Sequence, residues 1–327
     1  MSKQSNQKLK LMYIYKILSE ETNEDNPITV NELISKLEAM GVGAERKSIY
    51  DDIEALIAFG ADICTIRSRS NQYFMASREF ELPELKLLVD SVQSAKFITE
   101  KKSMQLIKKI GMLTSRYDAE KLNRQVYVYN RVKTLNEHIY FNVDRLHEAI
   151  TGNSKITFKY FEYSIDKQKQ YRKDGAMYNE SPVSLCWDDE NYYLIAYNEK
   201  HENYVHYRVD KMESINLTGE KRVLPDEEFN LANYSKTMFS MYSGETQRVE
   251  IQFDKSLVGV VLDRFGMDTP ILKASGIDSF KAIINVAVSP QFMSWVASFG
   301  KRAVILEPKS VKDDFKKFLY DSLKNYM

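Results

Sequence analysis

Residues 26–75 constrain the fold most strongly, because two short amphipathic segments flank a glycine-containing break. The apolar positions recur with helical spacing, at Leu33, Ile34 and Leu37 in the first segment and at Ile49, Ile53, Leu56 and Ile57 in the second. Gly41 and Gly43 supply backbone freedom between the segments, where the chain must reverse. The pattern predicts two helices, each of which packs through one apolar stripe.

The second helix opens with polar and basic side chains that lie off its apolar stripe, namely Arg46, Lys47, Ser48 and Tyr50. After Gly60, strand-like runs at 63–66 and 72–75 flank a polar turn that carries Arg67 and Arg69. Such an order is typical of a winged helix-turn-helix, whose second helix reads double-stranded DNA with its N-terminal residues. We expect Arg46, Lys47, Ser48 and Tyr50 to contact the major groove. We expect Arg67 and Arg69 to contact the DNA backbone or the minor groove.

The charge balance limits how this predicted DNA-binding domain, residues 1–78, can bind. The chain of 327 residues has 46 Lys and Arg against 46 Asp and Glu, and residues 1–78 carry ten basic and eleven acidic side chains. Without net positive charge, the domain lacks the attraction that drives non-specific binding to DNA. Specific contacts, or a homodimer that doubles them, are therefore needed. Three-helix units also serve as packing or protein-docking modules, and the spacing alone leaves that alternative open.

Motifs that carry catalysis are missing from the sequence. There is no G-x-x-x-x-G-K-[ST] loop, no G-x-G-x-x-G after a strand and no G-x-S-x-G elbow. His201 and His206 lie across an expected hairpin, without a cysteine or a second metal-ligand pattern nearby. We therefore expect no enzyme activity, no catalytic residue, no metal site and no cofactor.

Cysteine usage and hydropathy indicate the compartment. Cys64 and Cys186 both fall in strand-like runs and no C-x-x-C is present, which suits core packing in a reducing environment. No run approaches the length of about 18 apolar residues that a membrane span needs, and the N-terminus has no apolar signal-like stretch. We expect a cytoplasmic protein that is neither secreted nor membrane-spanning.

Changes in periodicity predict an α+β multidomain architecture beyond residue 78. Residues 79–152 have helical periodicity and form an expected helical connector, which could pair two subunits. Residues 153–218 contain several short alternating strands, as in a small β-barrel. Residues 219–245 are polar and irregular, which indicates a linker with a short helix near 229–241. Residues 246–327 have the ferredoxin-like order βαββαβ with one added helix.

A family resemblance runs along nearly the whole chain. Residues 191–197 (Asn-Tyr-Tyr-Leu-Ile-Ala-Tyr) and 206–212 (His-Tyr-Arg-Val-Asp-Lys-Met) resemble signature strands of the WYL domain, and Pro182 matches its upstream proline. The chain is similar to bacterial WYL transcriptional regulators, in which a winged helix-turn-helix, a helical connector, a WYL domain and a C-terminal extension follow one another. Tyr192 replaces the namesake Trp and keeps an aromatic face. Lys211 replaces the usual Arg and loses its bidentate fork.

The resemblance implies a barrel similar to Sm and SH3-like folds that senses a nucleotide or nucleic acid, single-stranded DNA in some members. The expected ligand-binding residues are aromatic and basic: Tyr160, Tyr192, Tyr193, His206, Tyr207, Arg208 and Lys211. A basic run between residues 155 and 173 would favour phosphates, and aromatic rings would stack on bases. Alternating aromatics also pack in cores, and Arg208 can form a structural ion pair with Asp210, so both alternatives stay open.

These features together predict a sequence-specific, non-enzymatic transcriptional regulator that forms a homodimer and responds to a ligand on its WYL domain. The alternative is an RNA- or single-stranded-DNA-binding accessory protein of a defence system, because family members occur beside RNA-guided defence systems. An enzyme is a third alternative, which no motif in the sequence supports.

Overall fold

Two units make up the chain in a computed structural model, one from Met1–Glu137 and one from His138–Met327. The structure describes residues 3–67, 69–122, 133–134, 136–224, 234, 238, 245–273 and 278–327. Both units mix helices with antiparallel strands, and each has its own apolar core.

The first unit begins with three helices and a three-stranded sheet: α1 (Lys3–Glu21), β1 (Ile28–Thr29), α2 (Val30–Ala39), α3 (Arg46–Phe59), β2 (Ile63–Ile66) and β3 (Gln72–Met75). The sheet has the order β1-β3-β2, with Ile63 opposite Met75 and Thr29 opposite Gln72. The bounds of β2 and β3 are those that the alternating pattern predicts. No pattern predicts β1, because two residues are too few to show alternation.

Hydrogen bonds at the helix ends explain where α2 begins and α3 ends. The Thr29 hydroxyl accepts from the Glu32 backbone N–H at 3.3 Å, and the Glu32 carboxylate accepts from the Thr29 backbone N–H at 2.7 Å. This capping box satisfies two backbone donors at the start of α2, and the hydrogen bonds from Thr29 lower the pKa of Glu32. α3 ends at Gly60, whose φ of +111° lies in the left-handed region that favours glycine.

The core of this part of the unit lies between the apolar stripes of α1, α2 and α3. Its fully buried side chains include Ile14, Ile17, Leu18, Leu33, Leu37 and Ile49. Ile57 departs from the predicted stripe, since it is 46% exposed. It lies about 80° around the helix from Ile49 and in the last turn of α3, so it falls at the edge of the buried stripe.

Three further helices follow in the first unit: α4 (Leu82–Ser94), α5 (Glu100–Gly111) and α6 (Arg116–Leu122). The periodicity over residues 101–122 predicts one helix, but the structure interrupts it at residues 112–115. Ser115 explains the interruption, because its hydroxyl accepts from the Asp118 backbone N–H at 3.2 Å and donates to the Asp118 carboxylate at 2.8 Å. A serine that caps its own helix start in this way favours a new helix over a continued one.

The second unit opens with α7 (Ile139–Thr151) and a curled antiparallel sheet: β4 (Ser154–Tyr163), β5 (Lys169–Tyr171), β6 (Tyr178–Asp188), β7 (Asn191–Asn198), β8 (Asn203–Arg208) and β9 (Met212–Lys221). This half-barrel has the order β5-β4-β6-β7-β8, and β9 pairs with β4. Asp189 and Glu190 close the β6–β7 hairpin with φ values of +44° and +61°, at the predicted polar turn. The Asn142 side chain of α7 donates to the Met212 carbonyl at 2.8 Å, which ties the helix to β9.

The rest of the second unit contains β10 (Thr246–Asp254), α8 (Val258–Phe265), β11 (Ile271–Lys273), β12 (Ser279–Ala287), α9 (Pro290–Ala297), β13 (Ala303–Glu307) and α10 (Lys309–Lys324). The four strands form one sheet in the order β11-β12-β10-β13. Alternate residues of β10, Val249, Ile251 and Phe253, are buried in a core with Val261 of α8 and Phe292 of α9. In the ranges that the structure describes, no helix is long and apolar enough to cross a membrane.

The two cysteines have different surroundings. Cys186 is buried in β6, but Cys64 is exposed in β2, so the core-packing prediction is wrong for Cys64. β2 is an edge strand of its sheet, and Ile63 is the residue that it buries. Because successive side chains point to opposite faces, Cys64 faces solvent.

Candidate functional site

Arg46, Lys47 and Tyr50 lie in the first turns of α3, as the sequence predicts. Arg46 and Lys47 are exposed, while Tyr50 is half-buried and packs its ring against the core. The Nε of Arg46 donates to the Tyr50 hydroxyl at 3.2 Å, one turn along the helix. This contact uses one of the five guanidinium N–H donors, so the others stay available for a ligand.

Ser48 faces α1 rather than solvent. Its hydroxyl accepts a hydrogen bond from the ammonium group of Lys10, a residue that is 8% exposed. The same ammonium group forms an ion pair with Asp52 at 2.7 Å. Ser48 therefore helps to hold α3 against α1, and the base contact predicted for it would compete with this hydrogen bond.

Sequence reasoning missed Lys10, although the sequence carries a signal. Lys10 shares a helical stripe with Ile14, Ile17 and Leu18, all of which are buried. A lysine at a buried position needs an acidic partner, because an unpaired charge is costly to remove from water. Asp52 supplies that partner from α3.

Arg67 and Arg69 lie in the turn between β2 and β3, and both are exposed. The strand register, with Ile66 opposite Gln72, leaves residues 67–71 to form this turn. Residue 68 is outside the described ranges. The two guanidinium groups are open to a phosphate from solvent, and their contact with DNA stays a prediction.

The register of β7 and β8 divides the predicted ligand-binding residues between two faces of the half-barrel. Tyr193 is opposite Arg208, and His206, two residues before Arg208, is opposite Ile195. Because side chains alternate along a strand, Tyr207 points to the other face from His206 and Arg208. The structure therefore does not bring the predicted residues into one site.

Tyr207 and Tyr160 belong to an aromatic cluster on one face. The Tyr207 ring centroid lies 4.9 Å from that of Phe158, 5.3 Å from Tyr160 and 5.5 Å from Tyr178. All four rings are buried. The Tyr160 hydroxyl accepts from the backbone N–H of Arg208 at 3.2 Å. Both predicted tyrosines thus contribute to packing, in agreement with the packing alternative.

Glu180 lies beside this cluster and is 2% exposed. Its carboxylate accepts a hydrogen bond from the Tyr207 hydroxyl at 2.8 Å and from the Asn198 side chain at 2.9 and 3.1 Å. Burial raises the pKa of Glu180, while these hydrogen bonds act in the opposite direction. Sequence reasoning missed this buried carboxylate, because a glutamate between polar and apolar strand residues is usually exposed.

Residues of the predicted linker cover the other face. The Tyr234 hydroxyl lies 3.0 Å from Nε2 of His206, and Met238 is buried in an apolar cluster with Tyr193. Burial raises the pKa of both Tyr193 and Tyr234 to about 12. The helix predicted near 229–241 falls outside the described residues, apart from Tyr234 and Met238. Even so, these two side chains lie against the face that holds Tyr193 and His206.

Arg208 forms an ion pair with Asp210, which is the structural alternative given for it in the sequence analysis. Its guanidinium group donates to the Asp210 carboxylate at 3.1 and 2.9 Å, and to the Asn191 side-chain oxygen at 2.9 Å. These contacts occupy the planar fork that would otherwise meet a phosphate. Arg208 therefore orders the end of β8, next to the β6–β7 hairpin.

Tyr192 and Lys211 are both half-buried. Tyr192 packs edge-on against Trp187 across the hairpin, with ring centroids 4.8 Å apart. Lys211 ends a short 3-10 turn, Val209–Lys211, that follows β8. Both side chains thus keep partial access to solvent.

A basic–aromatic strip lies on β4, β5 and the turn Arg172–Gly175. Four cations lie over aromatic rings: Lys159 over Tyr171 at 5.6 Å, Lys169 over Phe161 at 4.7 Å, Arg172 over Tyr160 at 5.5 Å and Lys173 over Tyr178 at 3.9 Å. The strip comes from the predicted basic run between residues 155 and 173. Lys155 lies apart from it and pairs with Glu199 at 2.9 Å. The cations lie at or near the surface, and two of them form ion pairs, Lys169 with Glu213 and Arg172 with Glu162. Of the four rings, Tyr171 is exposed, while Tyr160, Phe161 and Tyr178 are buried beneath the cations.

Two known protein families match segments of the second unit. The WYL domain family matches residues 142–217, which contain α7 and the half-barrel up to β9. The chain therefore contains a WYL domain. The WCX domain family matches residues 245–318, which contain the four-stranded sheet. The resemblance seen in the sequence is thereby confirmed, and this WYL-domain protein also carries a C-terminal WCX domain. No curated protein matches the chain.

Two solved structures are similar to this WYL-domain protein. One is the proteasome accessory factor B/C (PafBC) of Arthrobacter aurescens, with 15% identity, a TM-score of 0.28 and coverage of 100% of this chain and 49% of PafBC. The chain thus spans about half the length of PafBC. The other is a CRISPR Cas-related protein, with 15% identity, a TM-score of 0.34 and coverage of 91% of this chain and 72% of that protein.

Proposed function

We propose that this WYL-domain protein is a sequence-specific DNA-binding transcriptional regulator that acts as a homodimer. The observation that carries the proposal is the exposed pair Arg46 and Lys47 at the start of α3, beside the half-buried Tyr50. α3 is held by an apolar core and by the Lys10–Asp52 ion pair, so these side chains project from a rigid support. A rigid support favours specific contacts over the non-specific attraction that the neutral chain cannot provide.

The finer fold assignments belong to the same proposal. We assign the first part of the first unit as a winged helix-turn-helix, supported by α2, the turn, α3 and the β2–β3 hairpin with Arg67 and Arg69. We assign the half-barrel as Sm-like or SH3-like. We assign the WCX region as ferredoxin-like. The support is the spatial strand order β11-β12-β10-β13, together with α8 after β10 and α9 after β12 along the chain.

The ligand that we propose for the WYL domain is a nucleotide or a nucleic acid, bound at the basic–aromatic strip. A base stacked on Tyr171, the exposed ring of the strip, would contribute about 1–3 kcal/mol. Lys159 and Lys173 suit phosphates, whereas Lys169 and Arg172 would first have to leave Glu213 and Glu162. Tyr193 and His206 are poorer candidates, because Tyr234 and Met238 cover their face. The regulator is not an enzyme. In the proposed homodimer, a bound ligand would change the spacing between the two DNA-binding domains. It could do so only if it bound more tightly to the dimer with one spacing than to the dimer with the other.

The test is selection of genomic fragments by the purified protein at near-physiological salt, read by sequencing. We expect a pseudo-palindromic motif with half-sites about one helical turn apart, since a dimer presents two copies of α3. The double variant Arg46→Ala/Lys47→Ala should lose the motif. In Arg46→Ala alone, the cost should be about 1–3 kcal/mol at one base position if the guanidinium reads that base with two hydrogen bonds.

The matched control is Lys316→Ala/Lys317→Ala, which removes two exposed lysines from α10. It should select the same motif as the wild-type protein, because α10 has no place in the proposed interface. Equal enrichment by Arg46→Ala/Lys47→Ala and the wild-type protein would refute the role given to the start of α3.

A second candidate function is supported by the strip itself. Surface cations beside the exposed ring of Tyr171 suit single-stranded nucleic acid, so the protein would then be an RNA- or single-stranded-DNA-binding accessory protein. Tight binding of single-stranded oligonucleotides without preference for any duplex sequence would favour this candidate. Loss of that binding in Lys169→Gln/Lys173→Gln would assign it to the strip.

A further inference from the structure

An open cavity of about 740 Å³ lies between helices of the first unit, and none of its lining residues belongs to α3 or to the half-barrel. Its apolar lining comes from α4, α5, α6 and the loop after α5: Val89, Met104, Ile107, Met112 and Leu122. Met104 and Met112 are exposed, so the cavity is open to solvent on their side. Small-molecule sites usually measure about 300–1,000 Å³ and have mostly apolar walls, so both size and lining fit a ligand. Methionine side chains adapt their shape, which suits a flexible apolar guest.

The charged groups of the cavity favour an anion. Lys108 of α5 and Arg116 of α6 line it, against the single carboxylate of Glu20 from α1. Arg116 is held by an ion pair with Glu21 at 3.3 Å. In the described ranges Lys108 forms no ion pair, so its ammonium group can meet a ligand without breaking a contact. An apolar guest with one negative group matches this lining.

We propose that this cavity binds an amphipathic carboxylate, with its apolar part along the methionine walls and its carboxylate at Lys108. The site is separate from the WYL domain and gives the protein a second ligand. Binding would remove the guest's apolar surface from water, which supplies the affinity, while the ammonium group selects the charge.

The cavity also touches the helix that holds α3. Glu20, in the last turn of α1, lines the cavity, and Lys10 on the same helix contacts Ser48 and Asp52 of α3. A guest that displaces the end of α1 would therefore change how α3 is held. This regulatory consequence rests on the proposed DNA-binding function, whereas binding of the carboxylate does not.

The experiment titrates the full chain with decanoate by isothermal titration calorimetry. We expect saturable binding of one decanoate per chain, and weaker binding of decyltrimethylammonium, which has a similar tail and the opposite charge. Lys108→Gln should weaken decanoate by about tenfold, the loss expected for one hydrogen bond to a charged group. Lys101→Gln is the matched control, because Lys101 is an exposed lysine of α5 that does not line the cavity. It should leave the affinity unchanged.

Two variants fill the cavity and locate the apolar part. Ala119→Leu adds volume at the wall formed by α6, and Met112→Trp adds it at an exposed position that tolerates a larger side chain. Either variant, if its helical circular dichroism matches that of the wild-type protein, should weaken decanoate by about tenfold or more. No saturable binding, equal affinity for decyltrimethylammonium, or full affinity in a folded cavity-filling variant would overturn the proposal.

The regulatory step has its own measurement. Affinity for the selected DNA sequence is measured with and without saturating decanoate, and a change would support coupling through α1. Unchanged DNA affinity with intact decanoate binding would refute the coupling and leave the site. If no DNA sequence is selected but decanoate still binds, the proposed DNA-binding function fails while the cavity proposal stands.

Discussion

Replacing Lys10 by methionine tests whether a nearly buried ion pair holds α3 against α1. Lys10 has a side chain that is 10% exposed and lies 2.7 Å from Asp52, whose side chain is 19% exposed. Methionine keeps most of the lysine's length and apolar stem, so the change removes mainly the charge and the hydrogen bond to Ser48. What remains is an Asp52 carboxylate that is largely removed from water and has lost its cation.

The expected cost lies between two limits. Breaking a fully buried ion pair by removing one partner costs about 3–5 kcal/mol, because the other charge stays buried. Exposed pairs are worth about 0–1 kcal/mol. Since Asp52 keeps about a fifth of its surface in water, we expect Lys10→Met to lower the free energy of unfolding by about 2–3 kcal/mol. In a double-mutant cycle with Asp52→Asn, the coupling free energy should be about 1.5–2.5 kcal/mol.

Hydrogen exchange read by mass spectrometry is the suitable assay, because it reports the opening free energy of α1 and α3 without requiring the whole chain to unfold in one step. The control is the same cycle on Lys316 and Asp313, an exposed pair at 3.1 Å on α10, where the coupling should stay below about 0.5 kcal/mol. A Lys10–Asp52 coupling as small as that of the control would refute the reasoning. Lys10→Met should also weaken binding to the selected DNA sequence.

Two further predictions concern single residues. Burial raises the pKa of Glu180, so the folded state favours the neutral form of its carboxyl group. Above the usual carboxyl pKa of about 4.3, the folded chain therefore holds a proton that the unfolded chain has lost. The free energy of unfolding should fall as the pH rises from that value through the raised pKa. Glu180→Gln should abolish this pH dependence. Between about pH 4 and about pH 7, the unfolding midpoint of the wild-type protein should therefore fall more than that of the variant. Equal pH dependence in the two proteins would contradict a raised pKa for Glu180. Gly60→Ala should lower stability by about 1–2 kcal/mol in urea unfolding, since φ at this position is +111° while the space around it is open; no loss would mean that the end of α3 relaxes to a negative φ.

The elements that the sequence predicted best have strong local signals. The β2–β3 hairpin is bounded by residues that disfavour strands and has alternating apolar positions, so its limits follow from local chemistry. The helix over 101–122 was predicted too long, because the apolar period continues across residues 112–115. The capping contact between Ser115 and Asp118 overrides that period, and a Ser-x-x-Asp pattern is weaker evidence than the apolar repeat.

The candidate site was harder to predict, because it depends on strand register and on contacts between distant residues. The sequence places Tyr193, His206 and Tyr207 close together, but only the pairing of β7 with β8 sends Tyr207 to the opposite face. The contact between His206 and Tyr234 joins residues 28 positions apart. No periodicity in either segment indicates that contact, since periodicity reports which residues share a face and not what covers it.

The arrangement of the half-barrel explains why a ligand on the basic–aromatic strip would be well placed to act at a distance. β4 pairs with β5, β6 and β9, so a displacement of its Lys159 or Tyr160 is shared with three strands. Tyr160 in turn accepts a hydrogen bond from the backbone of Arg208, at the end of β8. Arg208 is also tied through its guanidinium group to Asp210 and Asn191, so contacts of this one residue connect Tyr160 with the start of β7 beside the β6–β7 hairpin. On the covered face, Tyr234 contacts His206 of β8 and Met238 packs with Tyr193 of β7, so both strands are also held from the side that the proposed ligand would not touch.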